Sequence, residues 1–385
     1  MRIPVLFFLL IMALPAPLVA ADGAPVRIAT YNIAMGLEAA GEMKAALESG
    51  NDARLEGVAT VLQRVRPDIV LLNEFDYDPS VDAAALFNEN YLSKGQKPIR
   101  YEFHFLGPVN TGVDSGLDLD GDGETGGPGD AWGFGHFPGQ YGMLVLSRFP
   151  LSIDSARTFQ HFRWSAMPNA QRPVLPDGTP IYPESTWNRL RLSSTSHWDL
   201  PIELDGVELH LLASHPTPPV FDGEEDRNGR RNHDEIRFWR DYTNPAGVEW
   251  IVDDGGAAGS LGHNKRFIIA GDLNADPHDG DSRAGAISQL LDAPWIDASC
   301  VPSSTGAAEA SREQGGVNTQ HTGDPAHDTA DFNDRYTGNL RIDYLLPSAG
   351  LKVSGCGVFW PVTGLLDDDP SGVSDHRLVW MDLEL

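Results

Sequence analysis

One stretch of the sequence decides the fold class, and it reads RFIIAGDLNADP over residues 266–277. Its first half is a short apolar run with two isoleucines, which is typical of a buried β-strand. Asp272 and Asn274 follow that run directly. A turn is the ordinary use of such residues, because Asp and Asn side chains hydrogen-bond to nearby backbone. Chemistry at the end of the strand is the other use, and the rest of the chain bears on that choice.

The same pattern of an apolar run next to polar residues recurs along the chain. It predicts strands over residues 26–33, 68–74, 142–147, 207–214, 266–271, 341–346 and 377–383. The polar residues at these strand ends are, in chain order, Asn32, Glu74, His215, Asp272, Asn274, Asp343, Asp375 and His376. Carboxylate and amide oxygens are the ligands that hard divalent cations prefer, and histidines donate to phosphate oxygens. Together these side chains favour metal-assisted phosphoester hydrolysis.

Other common chemistries fit the sequence less well. A G-x-S-x-G nucleophile elbow is absent from the sequence, and its Cys and His spacings do not match a zinc finger. The two cysteines, Cys300 and Cys356, have no flanking histidine that would activate a thiol. They either form one disulfide, as an oxidising compartment would allow, or remain two free buried thiols.

Composition sets outer limits on function. The 385 residues include 28 Lys+Arg and 55 Asp+Glu, for a net charge of −27, and 41% are hydrophobic. This content supports a large packed core and excludes an integral membrane bundle, which needs repeated apolar spans of about 20 residues. A surface this acidic repels polyanions, so we expect no stable nucleic-acid complex.

The N-terminal segment is typical of a secretory signal. Arg2 precedes an apolar stretch over residues 5–14, and small residues follow up to position 21. The apolar stretch is shorter than the about 20 residues that a membrane span needs. We therefore predict that residues 1–21 are a signal peptide, that no transmembrane anchor remains after cleavage, and that the protein is secreted or periplasmic.

The remaining residues, 22–385, are predicted to form one α/β (α+β) domain. Helical periodicity over residues 52–65, 234–239 and 285–291 alternates with the predicted strands. Three stretches exceed the about 15 residues of an ordinary connection and are predicted insertions, near residues 107–140, 159–198 and 216–262. Long loops of this kind tend to carry function.

Seven motifs, taken in order, resemble those of the endonuclease/exonuclease/phosphatase superfamily, which has the deoxyribonuclease-I-like fold, in the form of a secreted bacterial-type member. They are RIATYN (27–32), LLNEFD (71–76), YGMLVLSRFPL (141–151), HLLASHP (210–216), IIAGDLNADP (268–277), RIDYLL (341–346) and SDHRLVWMDLEL (374–385). The resemblance implies a four-layered αββα sandwich of two mixed β-sheets flanked by helices, with the site at one end.

The resemblance also implies a role for each polar residue at the strand ends. It implies an active-site Mg²⁺ or Mn²⁺ with Glu74 as the principal ligand and with Asn32 and Asp375 near the metal. It implies catalytic roles for Asp272, which orients water, Asn274, which contacts phosphate, His215 and His376, which face the phosphate, and Asp343, which orients His376. From these roles we expect a metal-dependent phosphoesterase that hydrolyses phosphodiester bonds of DNA, RNA or a small molecule. The alternatives are a phosphatase or phosphodiesterase of lipids or small metabolites, and a noncatalytic binding protein on the same fold.

Two weaker signals lie in the predicted insertions. Asp118, Asp120 and Asp122 open a D-x-D-x-D-G pattern that suits a structural Ca²⁺, although a solvated Asp-Gly loop explains it equally well. Arg227, Arg230 and Arg231 would suit an anionic substrate, but a solvated helix start is the favoured interpretation. Several aromatic residues, Trp132, Phe134, Trp164, Trp187 and Trp198, either line a cleft or pack beneath the loops.

Overall fold

A computed structural model of the protein describes residues 25–362 and 370–384. The predicted signal peptide, residues 1–21, lies outside the described residues. Within the two described ranges, no helix combines the length and the apolar character that crossing a membrane requires.

Two mixed β-sheets form the centre of the molecule. The strands are β1 (Val26–Met35), β2 (Ile69–Phe75), β3 (Phe103–Leu106), β4 (Met143–Ser147), β5 (Arg157–Thr158), β6 (His197–Leu204), β7 (Val207–Ser214), β8 (Arg266–Asp272), β9 (Ala330–Asp331), β10 (Asn339–Leu340), β11 (Asp343–Pro347), β12 (Lys352–Val358) and β13 (Val379–Glu384). The first sheet has the order β12-β13-β1-β2-β4-β3 and the second β11-β8-β7-β6-β5, while β9 and β10 form a separate hairpin. The pairs β1/β2 and β7/β8 are parallel, and the other pairs are antiparallel.

Helices cover the outer faces of both sheets. They are α1 (Glu42–Ser49), α2 (Ala53–Val65), α3 (Ala83–Phe87), α4 (Glu184–Trp187), α5 (Arg227–Tyr242), α6 (Ser288–Leu291) and α7 (Thr305–Gln314). The predicted helix at 52–65 is confirmed as α2, whose N-cap Asp52 accepts the backbone N–H groups of Arg54 and Leu55. The helix predicted at 234–239 is the second half of α5. The helix predicted to start at 285 begins at Ser288, because Gly285 has a φ of +81° and lies outside helical geometry.

The packing confirms the four-layered sandwich. Side chains alternate along β2, so that Val70 and Leu72 pack against the helices of the first half while Ile69 and Leu71 pack between the sheets. The second sheet alternates in the same way, and the outward residues of β7 and β8 pack against Ile236 of α5. Three apolar layers thus lie between four structural layers, which are the helices of the first half, the first sheet, the second sheet and the helices of the second half.

Two of the predicted insertions contain parts of this framework. Trp198, at the end of the 159–198 stretch, belongs to β6 and is fully buried between the sheets, with its ring edge-on to Phe105. The stretch at 216–262 contains α5.

Cys300 and Cys356 form a disulfide, which confirms one of the two alternatives and joins the segment after α6 to β12.

Strand direction explains where the polar strand ends meet. Parallel β1 and β2 bring Asn32 and Glu74 to one edge, and parallel β7 and β8 do the same for His215 and Asp272. In the antiparallel pair β11/β8, Asp343 lies directly opposite Asp272. The segment that precedes β13 returns to this edge as well, because β13 runs antiparallel to β1.

Candidate active site

Asp272 is the centre of the polar cluster at this edge. Its Oδ2 atom lies 3.1 Å from Asn32 Nδ2, 3.4 Å from His215 Nε2 and 3.6 Å from His376 Nε2. All four residues are buried, yet they line one end of an open cleft of about 1300 Å³ or lie directly behind it. The structure therefore brings together residues that are hundreds of positions apart in the chain.

The backbone around Asp272 is fixed by contacts between the two sheets. Asn73 of β2 accepts the N–H of Asp272 at 3.1 Å and donates from Nδ2 to the carbonyl of Ser214 at 3.3 Å. Gly271 has a φ of +145°, and a Cβ atom there would lie 2.0 Å from the Ser214 carbonyl oxygen. Glycine is therefore required beside Asp272, and the two sheets are locked together behind it.

A buried pair holds the second histidine. His376 Nδ1 lies 2.9 Å from Asp343 Oδ2, which also accepts the hydroxyl of Thr329 at 2.8 Å. Burial opposes protonation of His376, but the carboxylates of Asp343 and Asp272 outweigh it and raise its pKa to about 10. Burial raises the pKa of Asp343 to about 6. At neutral pH the pair is therefore an imidazolium held by a carboxylate.

The charges of Asp272 and His215 follow the same logic. Burial alone would raise the pKa of Asp272, but His376 and His215 outweigh it and hold that pKa below its usual value. Burial likewise opposes the positive charge on His215, and Asp272 reverses the effect and raises its pKa. Asp272 is thus ionised at neutral pH and faces the imidazolium of His376 and the ring of His215.

Glu74 lies beside this cluster with few protein partners. Among the described residues, its side chain accepts one hydrogen bond, from Asn32 Nδ2 at 3.2 Å. Burial raises its pKa, against the opposing effect of His215. Its backbone is left-handed, with a φ of +59°, a conformation that few non-glycine residues adopt.

The donor set at Glu74 fits a hard divalent cation. A half-buried carboxylate that accepts one hydrogen bond, from a neutral amide, has spare oxygen lone pairs that a cation can use. Asn32 directs its Oδ1 to the N–H of Ala34 at 3.0 Å and its amide nitrogen to the two carboxylates. In this arrangement Asn32 orients Glu74, and its oxygen reaches a cation only after rotation of the amide.

The remaining predicted residues line the same cleft from its rim. Asp375 is exposed, and its carbonyl accepts the N–H of Asp331 at 2.7 Å. Asn274 has a left-handed backbone with a φ of +51°, and its Nδ2 donates to the Pro216 carbonyl at 3.1 Å. The trio whose ligand atoms lie within 4.8 Å of one another at this site is Asp272, Asp343 and His376. Both nitrogens of His376 face carboxylates, through a hydrogen bond to Asp343 and a 3.6 Å ion pair with Asp272, so Glu74 remains the candidate metal ligand.

Two buried residues of α5 hold the loops that carry the site, and the sequence did not single them out for this. Glu235 is fully buried and accepts the N–H of Thr217 at 2.7 Å and the N–H and hydroxyl of Ser194 at 2.6 and 2.9 Å. Ser194 and its neighbour Thr195 in turn donate to the carbonyl of His215. The helix thereby fixes the loop of His215 from behind.

Asn232, one turn before Glu235, joins two loops that line the cleft. Its buried Nδ2 donates to the carbonyls of Thr217 and Leu273, both at 2.9 Å. Thr217 follows His215 and Leu273 follows Asp272, so one amide ties the two segments together. We call Asn232 and Glu235 the α5 clamp.

A hairpin missing from the predictions also borders the site. Strands β9 and β10 carry Phe332 and Tyr336 in the loop between them, and the ring of Phe332 stands edge-on to His376 at 5.5 Å. Arg377 anchors the hairpin through Asp331 at 2.9 Å. Strands of two residues carry no alternation that a sequence pattern reveals, and the Gly and Asn residues near 333–339 were the available turn signal.

The weaker sequence signals have clear outcomes. Arg231 donates to the carbonyls of Leu192, Ser193 and Trp132, and Arg227 donates to that of Leu119. Arg230 donates to the carbonyl of Glu225. The three arginines therefore hold loop carbonyls, and the solvated helix start that we favoured is wrong for Arg231, which is half-buried beneath the loops whose carbonyls it satisfies.

The aromatic residues of the insertions divide into two groups. Trp187 packs against Trp164 in the second-half core, at 5.2 Å between ring centroids, and Trp198 is buried between the sheets. Trp132, Phe134 and Trp164 line the cleft. Both interpretations from the sequence thus apply, to different residues.

The acidic loop forms a different trio from the one predicted. Asp118 and Asp120 place carboxylate oxygens within 4.8 Å of each other and of Asp130, which is buried. Asp122 is not part of this trio, and its Oδ1 accepts the N–H of Glu124 at 2.8 Å.

Comparisons with known proteins agree with the fold. The model of the Endonuclease/Exonuclease/phosphatase family matches residues 29–376. No curated protein matches the sequence. The structure is similar to that of an endonuclease/exonuclease/phosphatase from Beutenbergia cavernae DSM 12333, with a TM-score of 0.52 and 19% identity over 94% of this chain and 72% of that chain.

Two further solved structures are similar at a lower level. One is a family protein from Leptotrichia buccalis C-1013-b, with a TM-score of 0.48 and 14% identity over 94% of this chain and 100% of that chain. The other is sphingomyelinase C from Streptomyces griseocarneus, with a TM-score of 0.46 and 17% identity over 93% of this chain and 99% of that chain.

Proposed function

Because the chain belongs to the endonuclease/exonuclease/phosphatase family and is a hydrolase acting on phosphoester bonds, we propose that it is a secreted, divalent-metal-dependent phosphodiesterase that uses in-line attack by water. The observation that supports this most is the position of Asp272, an ionised carboxylate within 3.6 Å of two histidines at the end of a cleft. Secretion is proposed from the N-terminal segment alone.

Glu74 is the residue proposed to hold the cation, with Asn32 orienting its carboxylate and Asp375 near the metal from the rim. Mg²⁺ or Mn²⁺ bound there would neutralise the nonbridging oxygens of the phosphate, which otherwise repel an incoming nucleophile. The left-handed backbone of Glu74 presents the carboxylate to the cleft at a strained position that the β2 contacts maintain.

Asp272 orients the attacking water. It is the ionised acceptor of the cluster. Its Oδ1 accepts the N–H of Asn274 at 2.9 Å, so Oδ2 is the oxygen that faces the two histidines, Asn32 and the water. A carboxylate placed in this way accepts a proton as the water attacks. Asn274 and His215 lie on either side and offer donors to the phosphate oxygens.

His376 stabilises the negative charge that develops on the phosphate. Asp343 keeps the imidazolium protonated and fixes its ring orientation through the 2.9 Å contact at Nδ1. The remaining nitrogen, Nε2, points towards Asp272 and the cleft. A preorganised cationic donor of this type supplies electrostatic stabilisation without reorganisation at the moment of reaction.

A substrate panel tests the proposal. The mature chain is assayed with Mg²⁺, Mn²⁺ or Ca²⁺, and after chelation, on bis(p-nitrophenyl) phosphate, p-nitrophenyl phosphate and plasmid DNA. We expect metal-dependent turnover of the diester that chelation abolishes. The absence of turnover on all three substrates would favour the noncatalytic alternative, and N-terminal sequencing of the exported chain tests cleavage after residue 21.

We also propose that a structural Ca²⁺ binds to Asp118, Asp120 and Asp130. Calcium should raise the melting temperature of the wild-type chain, and Asp120→Ala should remove that effect. Equal stabilisation of both chains would exclude this position.

A further inference from the structure

The cleft extends well beyond the catalytic cluster, and its outer part is unusually aromatic. Six large hydrophobic residues are exposed within the described ranges, and the three aromatic ones are Phe134, Phe221 and Tyr336, with exposed fractions of 59%, 90% and 70%. All three line the catalytic cleft. The three aliphatic ones, Ile153, Leu175 and Val252, do not.

These aromatic residues come from three separate loops. Phe134 lies in the 107–140 stretch, Phe221 follows the His215 loop, and Tyr336 lies in the hairpin whose Phe332 contacts His376 at 5.5 Å. Single exposed apolar side chains are ordinary, but aromatic rings from three loops at one cleft mouth are a feature of binding sites. Trp132 and Tyr141 continue the apolar lining inward towards Glu74.

The charges of the cleft point the same way. Its arginines are engaged by the protein: Arg191 donates to Asn110 at 2.5 Å and stacks over Trp132 at 4.9 Å, and Arg227 and Arg231 donate to carbonyls. The cleft also presents Asp276, Asp279 and Asp281. A polyanion would meet these carboxylates, and the three arginines that line the cleft are already engaged by protein groups.

We propose that this cleft binds a phosphodiester whose alcohol moiety on one side of the scissile phosphate is apolar, an alkyl, acyl or aryl group, and that Phe134, Phe221 and Tyr336 hold that moiety. This inference rests on the proposed phosphodiesterase activity and names its substrate class. It excludes nucleic acid as the preferred substrate. The apolar group can belong to a free ester or to a lipid in a membrane surface. In the second case the exposed rings at the cleft mouth would contact that surface.

The test is a series of alkyl p-nitrophenyl phosphates with methyl, butyl and hexyl groups, which keeps the leaving group constant. Each methylene buried in the cleft should raise kcat/KM roughly fourfold. We expect the hexyl ester to exceed the methyl ester by about 50-fold or more, which corresponds to about three buried methylenes. Phe221→Ser and Tyr336→Ser should each reduce this hexyl-to-methyl ratio by about fivefold.

Leu175→Ser and Val252→Ser are matched controls, because they remove exposed apolar side chains outside the cleft and should keep the wild-type ratio. A ratio near one in the wild-type chain, or plasmid DNA cleaved with a higher kcat/KM per phosphodiester than the hexyl ester, would overturn the proposal. Failure to hydrolyse any ester with metal present would instead refute the proposed activity itself.

A final arm identifies the source of the apolar group. The wild-type, Phe221→Ser and Tyr336→Ser chains are given phosphatidylcholine vesicles, and release of the headgroup is followed. Turnover that depends on Phe221 supports the proposal and assigns a lipid surface. Turnover confined to monomeric esters supports it and assigns a free substrate, whereas vesicle turnover that is indifferent to Phe221 and Tyr336 contradicts the role of the rings.

Discussion

Replacing Glu235 by alanine tests whether the α5 clamp positions the catalytic histidine. The change removes a fully buried carboxylate that accepts three hydrogen bonds of 2.6 to 2.9 Å, two of them from backbone N–H groups. Each buried donor left without a partner costs about 1–3 kcal/mol, and the desolvation cost of the lost carboxylate offsets part of the sum. We therefore expect a loss of about 3–5 kcal/mol of unfolding free energy.

The activity of the folded chain should fall as well. Ser194 and Thr217 would no longer be held, and the His215 carbonyl accepts hydrogen bonds from Ser194 and its neighbour Thr195. A displacement of about 1 Å at a catalytic group costs on the order of 100-fold, so we expect kcat to fall by about 10- to 100-fold.

Urea unfolding gives the first quantity, and turnover at a temperature where the variant is folded gives the second. Glu235→Gln keeps one acceptor oxygen and should recover part of both losses, while exposed Glu249→Ala should lose neither. A folded Glu235→Ala chain with wild-type kcat would refute the positioning role, whatever its stability.

Three further predictions follow from buried groups. His376→Ala should lower the kcat of the folded chain by about 100- to 10,000-fold, although the loss of a buried ion pair also lowers stability, and a loss of activity explained fully by a lower melting temperature would contradict the catalytic role. Burial lowers the pKa of His197 to about 4, so the folded state binds fewer protons than the unfolded state between about pH 4 and 6.5. His197 alone should therefore lower the unfolding free energy by up to about 3 kcal/mol as the pH falls through that window, and the difference between urea titrations of the wild-type and His197→Gln chains measures this contribution. Replacing both Cys300 and Cys356 by serine opens a loop with a sequence separation of 56 and should cost about 2–4 kcal/mol in urea unfolding without changing kcat, because the bond lies away from the cleft.

The central strands could be predicted because burial leaves a pattern in the sequence. Residues 69–72 and 268–270 are apolar on both faces, since each strand packs against helices on one side and the opposite sheet on the other. The polar residues next to such strands stand out, and this contrast identified Asp272, Glu74 and His376 before their proximity was known. That these three residues lie close together could not be predicted without the order of the strands in the sheets. The strand order was implied only by the family resemblance of the seven motifs.

The α5 clamp could not be predicted in the same way. Residues 227–235 are polar throughout, which is typical of a solvated helix, and the burial of Asn232 and Glu235 depends on loops that fold over them. Buried polar residues satisfied by distant backbone have no periodic signal, because their partners are set by tertiary structure. The β9–β10 hairpin was missed for a related reason, since its strands are too short for alternation.

The most direct test of the account is the Mn²⁺ dependence of bis(p-nitrophenyl) phosphate hydrolysis by the wild-type, Glu74→Gln and Asp272→Asn chains, with Glu249→Gln as a control. Equilibrium Mn²⁺ binding is measured alongside. The account predicts that Glu74→Gln binds Mn²⁺ at least about 10-fold more weakly, and that Asp272→Asn still binds it but loses about 100-fold or more in kcat. Unchanged Mn²⁺ binding in Glu74→Gln together with near wild-type turnover in Asp272→Asn would contradict it.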